Sequence, residues 1–505
     1  MDAGSASTIS LRRRRWITAG LLLGMSLGAL EATVVGTAMP TVIATLGGLA
    51  HYSWVFSAYL LTSTASVPIW GRLSDLYGRR RMYLIGIAVF LLGSIVSGAA
   101  TSMTMLILAR ALQGLGAGAI IPLSMTIVGE LFALAERARV QALFSGVWGI
   151  ASVAGPLVGG YVTDAISWRW VFYLNIPFGL LAAAVIATAY PATAPNQNVR
   201  VDWLGAGLLF SGISALLIAL GGDTGAATWW FLAAGLLLGW FAAVERRSSD
   251  PILPVTLLRQ PLVARTLAVV FLVGMALFAA IAFIPLFVQG VMGATATQAG
   301  QVLTPLFLGW VVMSIAGARM TVPLGYRRLA ATGSTLLTVG FIGLTLLGTE
   351  SSRNAVMGAG LLIGAGMGLS MLSLLLAVQH GVERAHLGLA TSLSQFSRSV
   401  GAAVGVAAMG ALLTRALSGV TIPGGLESLA AGGTMLNGLA RTQFAAALHQ
   451  VFVGCAVLAA ASLAATAFLP PVDFSRGMSA ASGERMIEAE MANLAPRDEP
   501  VTVRD

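Results

Sequence analysis

Gly71-Arg72-Leu73-Ser74-Asp75-Leu76-Tyr77-Gly78-Arg79-Arg80-Arg81 packs four arginines, one aspartate and two glycines between two apolar stretches, 53–73 and 82–100. Apolar runs of roughly 20 residues have the length that crosses a ~30 Å hydrocarbon core as a helix. The quoted segment therefore reads as a tight polar loop joining two membrane spans. At an offset of 247 residues, Ala318-Arg319-Met320-Thr321-Val322-Pro323-Leu324-Gly325-Tyr326-Arg327-Arg328 follows another apolar stretch in the same way. Gly114, Gly116 and Gly118 recur as Gly364, Gly366 and Gly368, and Glu136-Arg137 recurs as Glu383-Arg384. The common order and near-constant offset indicate a duplication. Parallel duplicated halves facing a central midplane site are a transporter architecture.

Composition carries the same message. Of 505 residues, 57% are hydrophobic and only 10% charged, with a mean hydropathy of +0.85. A soluble protein of this length needs more charge to cover its surface, and barrel strands alternate in polarity instead of running continuously apolar. The expected fold is thus all-α and integral to the membrane. Spans fall near 16–45, 53–73, 82–100, 103–130, 138–164, 169–190, 202–221, 228–246, 263–290, 297–318, 328–348, 353–379, 385–416 and 446–470, fourteen in all. Two proline-rich polar breaks, 191–201 and 245–262, read as linkers. They isolate two helices between two groups of six. The expected organisation is an N-terminal tail 1–15, a six-helix bundle 16–190, linkers with two inserted helices 191–262, a second six-helix bundle 263–470 containing an external segment 419–445, and a tail 471–505.

The net charge of +9 does not point to nucleic acid, because its distribution follows a membrane rule. All 29 basic residues are arginine; 15 lie in alternate inter-helix loops and four more in Arg12–Arg15, against four (Arg169, Arg353, Arg415, Arg441) in the opposite loops. This positive-inside bias, with an even number of spans, puts both termini in the cytoplasm of a bacterial inner-membrane protein. The apolar run after Arg12–Arg15 continues past Glu31 without a cleavage site, so it reads as a retained first helix. Cys455 is the sole cysteine, which excludes an intrachain disulfide. Four scattered histidines offer no metal site, and neither a phosphate loop nor a nucleophile–base pair is present. No cofactor and no enzymatic reaction are expected, and the chain is expected to be a monomer in contact with lipid.

Glu31 is the leading functional candidate. It lies ~15 residues, or ~22 Å, into the first span, where an ionisable group costs roughly 2.5–3.5 kcal/mol. Such a carboxyl can bind and release a proton as its surroundings wet and dry, provided it reaches an accessible chamber; the alternative is a hydrogen-bonded Glu that only fixes helix packing. Arg110 in the fourth span, with Gln113 one turn on, supplies a fixed positive charge that can pair with Glu31. Asp75 can bond arginines of its loop as a latch, or the loop can be purely topogenic; charge alone does not separate these. Gly155-Pro156 and Gly159-Gly160 bend the fifth span and admit a close neighbour. Gln113, Trp148, Phe283, Trp310, Gln395 and Phe396 are candidates for the lining of a substrate cavity, although such aromatic residues also pack or face lipid. Arg398 and His449 receive no role.

These residues resemble the major facilitator superfamily. Gly71–Arg81 looks like its loop signature, Leu108–Gly114 like its fourth-helix motif, and Gly155–Gly160 like the fifth-helix motif of antiporters. Leu30–Pro40 and Trp168–Pro177 are similar to signatures of the fourteen-helix drug:proton antiporters. Over residues ~16–470 the resemblance implies two six-helix bundles plus two inserted helices, alternating access, and proton-coupled export of lipophilic drugs or dyes. It implies that Glu31 is the proton-coupling acid and that Arg110 assists it. Asp75 with Arg79 and Arg80, flanked by Gly71 and Gly78, would form the conformational latch, and Gly155 with Pro156 the helix bend. Three positions depart from the pattern: Glu31 stands where Asp is usual, Ala151 where glycine is frequent, and Val322 where the second loop would carry its aspartate. The later helices carry no further acid, which favours neutral or monovalent cargo. One proton moving through 100 mV supplies ~2.3 kcal/mol, enough for roughly a 40-fold gradient of a neutral compound. A dedicated exporter of one endogenous lipid or secondary metabolite is the alternative, and a non-transporting sensor on the same fold a third reading.

Overall fold

The computed structural model describes residues 10–132, 134–191, 202–221, 224–247, 255–382, 387–418 and 438–471. Its helices are α1 (Leu11–Leu46), α2 (Tyr52–Tyr77), α3 (Arg79–Gly98), α4 (Met103–Leu131), α5 (Leu134–Ala165), α6 (Arg169–Tyr173), α7 (Asn175–Ala189), α8 (Trp203–Gly221), α9 (Thr224–Glu245), α10 (Val255–Leu258), α11 (Pro261–Gly290), α12 (Ala296–Leu324), α13 (Tyr326–Thr345), α14 (Arg353–Gly381), α15 (Leu387–Leu417) and α16 (Gly438–Thr466). With α6 and α7 taken together, eleven helices among the described residues are long and apolar enough to cross a membrane. Helices dominate because hydrocarbon offers no partner for free backbone groups, and a helix satisfies its own.

Gly78 joins α2 to α3 with φ 90°, and Gly325 joins α12 to α13 with φ 80°. These are equivalent positions of the repeated loop, and a positive φ is where a side chain is disfavoured. The glycine triplets pack equivalently too. A Cβ on Gly114 would stand 2.4 Å from the Tyr59 carbonyl oxygen of α2, and one on Gly116 2.2 Å from the Phe90 nitrogen of α3. In the second half, a Cβ on Gly364 would stand 1.7 Å from the Leu306 carbonyl oxygen of α12, and one on Gly366 2.4 Å from that of Gly333 in α13. Membrane helices gain little from hiding apolar surface from lipid and associate through such backbone-to-backbone approaches. The duplication is therefore visible as one packing scheme used twice.

The bundles α1–α7 and α11–α16 meet along α1 with α11, α2 with α15 and α5 with α12. We call the face with the start of α1 and the end of α16 the terminal face, and its opposite the distal face. Among the described residues, the hydrogen bonds between the bundles sit toward the distal face. Gln289 Nε2 donates to the Thr37 carbonyl at 2.9 Å, Ser57 Oγ to that of Ala403 at 3.3 Å, and the Tyr52 hydroxyl to that of Ala282. Helix α8 leans on both α2 and α15, and α9 packs chiefly on α8, leaving Trp229, Trp230, Leu236 and Trp240 exposed.

Several boundaries differ from expectation. The sixth span is broken at Leu174 into α6 and α7, α1 begins at Leu11, and the break 245–262 holds the short helix α10. Residues 438–445, expected within an external segment, form the first turns of α16. Residues 192–201, 419–437, 472–505 and Glu383-Arg384 lie outside the described residues.

Candidate functional site

Helices α1, α4 and α7 converge on one carboxylate. Glu31 is 3% exposed. One of its oxygens takes the Arg110 guanidinium. The other accepts from Gln113 Nε2 at 2.8 Å and from Asn175 Nδ2 at 2.7 Å. Ser94 Oγ of α3 lies 2.7 Å from Gln113 Nε2 and 3.2 Å from Asn175 Nδ2, so it braces both amides. Arg110 also donates to Gln113 Oε1 at 2.6 Å and to the Val55 carbonyl at 3.3 Å. Its guanidinium lies over the Tyr59 ring at 4.2 Å, a favourable place for a desolvated cation.

The pairing of Glu31 with Arg110 open to sequence reading is thus formed, but the surroundings differ from those expected. The carboxylate is buried within the first bundle, held by residues of α4 and α7. Gln113, a candidate for cavity lining, is buried and serves as part of the cage. Asn175 and Ser94 were not singled out as site residues. The only signal for Asn175 lay in Asn175-Ile176-Pro177, and its use depends on the helix break at Leu174, which starts α7 with that side chain facing α1. A buried ion pair of this kind resists loss of either partner, because the other is left as an unpaired charge.

The loop signature makes a second cluster, at the terminal face. Arg79 bridges Asp75 at 2.5 Å and Glu130 at the end of α4 at 2.6 Å, and donates to Ser74 Oγ at 2.7 Å. The Tyr190 hydroxyl donates to the second Glu130 oxygen at 2.8 Å, and Arg80 donates to the Ala187 carbonyl. Among the described residues, the side-chain bonds of Asp75, Arg79, Arg80 and Glu130 stay within the first bundle, fastening the α2–α3 turn to the ends of α4 and α7. Gly71 has open space around it. Glu130 was missed, since a lone acid at a helix end carries no motif.

Helix α5 runs unbroken through Pro156, and its glycines admit two neighbours. Gly155 and Gly159 face Thr33 and Thr37 of α1, whereas a Cβ on Gly160 would stand 2.5 Å from the Ala296 carbonyl oxygen of α12. One on Gly300 of α12 would stand 2.1 Å from the Pro156 carbonyl oxygen. Just beyond, Asp164 of α5 caps α12 across the bundle boundary: its carboxylate accepts from the backbone nitrogens of Ala296 at 3.2 Å and Thr297 at 2.8 Å, and from Thr297 Oγ1 at 2.5 Å. This cap, invisible to local sequence because donor and acceptor lie 132 residues apart, ties the two bundles together at the distal face.

The remaining cavity candidates scatter. Phe283 is fully buried against Tyr52, with centroids 5.5 Å apart, so it packs instead of lining a cavity. Trp310 is half-buried and stacks on Phe307. Trp148 is half-buried against the first-bundle core. Phe396 packs toward α8 and α2, and Gln395 is exposed.

Comparison with known proteins places this geometry. Residues 21–406 match the family model described as Major Facilitator Superfamily. The chain is 37% identical to the Multidrug transporter protein MdtP of Bacillus subtilis over 79% of this chain and 75% of that protein. It is 34% identical to Multidrug resistance protein 3 of the same organism over 82% of each. Its fold is similar to the crystal structure of a bacterial homolog of the human lysosomal transporter Spinster, with a TM-score of 0.68 at 15% identity over 91% of this chain and 97% of that one. The chain belongs to the Major Facilitator Superfamily, whose members are multi-pass membrane transporters.

Proposed function

We propose that this protein exports lipophilic drugs or dyes by proton-coupled antiport, with Glu31 as the proton-carrying group. The observation that carries this reading is the carboxylate of α1 buried with Arg110, Gln113 and Asn175 and with no second acid in the cage. Such a cage has two charge states. With Glu31 ionised it is neutral and all its bonds are made. With Glu31 protonated, Arg110 keeps its charge, because an arginine does not deprotonate in proteins, and the cage gains a net positive charge in a poorly polarisable setting. The two states favour different packings of α1, α4 and α7, which links proton occupancy to bundle position. In the described conformation the carboxylate is enclosed, so exchange with water requires these helices to part, consistent with alternating access.

The multidrug names of the two Bacillus subtilis relatives support export of lipophilic compounds. In this reading α2, α5 and α13 join the eleven apolar helices as spans, making fourteen. The arginine bias supports a terminal face on the cytoplasmic side of a bacterial inner membrane. The distal closure by Asp164, Gln289 and Tyr52 then corresponds to a state open toward the cytoplasm. The test is substrate-induced proton release by detergent-solubilised protein, followed by efflux in proteoliposomes under an imposed pH gradient. Glu31→Gln is expected to abolish both while substrate binding stays measurable; wild-type efflux by that variant removes Glu31 from the mechanism.

A further inference from the structure

Arg398 is the second arginine inside the apolar part of a span, and the cage of Glu31 does not use it. It lies about 17 Å from the start of α15 and about 28 Å from its end, within the apolar window Leu393–Leu417. No hydrogen bond, ion pair or ring contact of its side chain occurs among the described residues. Glu31 has both oxygens occupied elsewhere. The acid described in the second bundle, Glu350, sits in the turn between α13 and α14 at the distal face.

Its position is informative. Arg398 is half-buried. Arginines inside membrane spans face the bundle interior or a water-filled cavity, unlike Trp229 on α9, which is exposed. The neighbouring faces of α15 are taken. Ser397 Oγ donates to the Leu267 carbonyl of α11 at 2.8 Å, and Phe396 and Val400 pack toward α2 and α8. Gln395, one turn before Arg398 and on a neighbouring face, is exposed.

We propose that Arg398 binds the carboxylate of an amphiphilic anionic substrate in the chamber between the bundles. A guanidinium presents paired N–H donors that match a carboxylate, stays charged throughout the cycle, and is stronger in a partly dry chamber than in water. The apolar remainder of the substrate takes the apolar walls, and Gln395 supplies a further donor nearby. This rests on the export reading above and narrows its cargo from neutral or monovalent lipophiles to lipophilic anions.

The experiment is a fluorescence titration of purified full-length protein in detergent with 1-pyrenebutyrate and with its methyl ester, which share an apolar body and differ in charge. The wild type is expected to bind the carboxylate at least tenfold more tightly than the ester. Arg398→Gln should raise the Kd for the carboxylate at least tenfold and that for the ester less than threefold, and Arg398→Lys should fall between. A wild type without this preference, including one that binds neither probe, overturns the proposal and needs no variant to fold. Equal losses for both probes in Arg398→Gln also overturn it, since they report packing. Loss of proton-driven efflux is read separately in Glu31→Gln. Wild-type efflux by Glu31→Gln with intact carboxylate selectivity sinks the coupling reading alone, whereas proton-driven efflux without that selectivity sinks only the anion site.

Discussion

Replacing Asp164 by alanine isolates the link that closes the distal face. The carboxylate on α5 accepts from two backbone nitrogens at the start of α12 and from the Thr297 hydroxyl, a cap supplied by the other bundle beside the helix's own N-cap, Thr295. Loss of an N-cap side chain costs ~0.5–2 kcal/mol. Asp164 is exposed, so water and salt screen its charge and the lower half of that range applies. A loss of about 1 kcal/mol corresponds to about a fivefold change in the ratio of distal-closed to distal-open protein. Spin labels on cysteines placed at Ile166 and Leu346, both exposed near the distal ends of α5 and α13, would report that ratio by pulsed dipolar spectroscopy. The buried Cys455 is replaced by alanine in this background. The long-distance population relative to the short one should rise about fivefold in Asp164→Ala, and less in Asp164→Asn, which keeps one acceptor. An unchanged distance distribution in Asp164→Ala would refute the reasoning, for it would mean that the cap bears no part of the closure.

Arg110→Met leaves the Glu31 carboxylate buried without its counter-charge, at a cost of about 3–5 kcal/mol; thermal unfolding in detergent should fall accordingly, and Glu31→Gln added to it should restore most of the loss. Equal unfolding temperatures for the single and double variants would show that the pair is not energetically coupled. At the terminal face, Arg79 has two acidic partners that are partly exposed, so Asp75→Asn and Glu130→Gln should each cost less than about 1 kcal/mol. The double variant should cost more than their sum, because either acid alone can still hold Arg79; strictly additive unfolding temperatures would contradict this redundancy.

Much of the architecture was legible in the chain itself. Apolar runs of span length mark helices because hydrocarbon solvates no free backbone group, and the offset of 247 residues between the two loop segments marks the duplication that Gly78 and Gly325 express as matching turns. Glu31 and Arg110 stood out for a related reason, since a charge in an apolar run carries a penalty visible from composition alone. Less was legible where several helices contribute to one bond. Gln113 read as a cavity residue because its helix face was evident while its partner was not, and Phe283 read as a lining residue although Tyr52 covers it. The break at Leu174 lies just before Asn175-Ile176-Pro177, but nothing local shows that it delivers Asn175 to Glu31.

Hydropathy, charge placement and internal repetition are properties of neighbours along the chain, and they determined the spans, the halves and the polar groups that needed an explanation. Which of those groups touch was decided only by tertiary packing. Ser94, Asn175, Glu130 and Asp164 acquire their roles from residues between 19 and 144 positions away, and Arg398 from having no partner among the described residues. Hydrogen bonds act over about 3 Å, a distance that sequence separation does not encode.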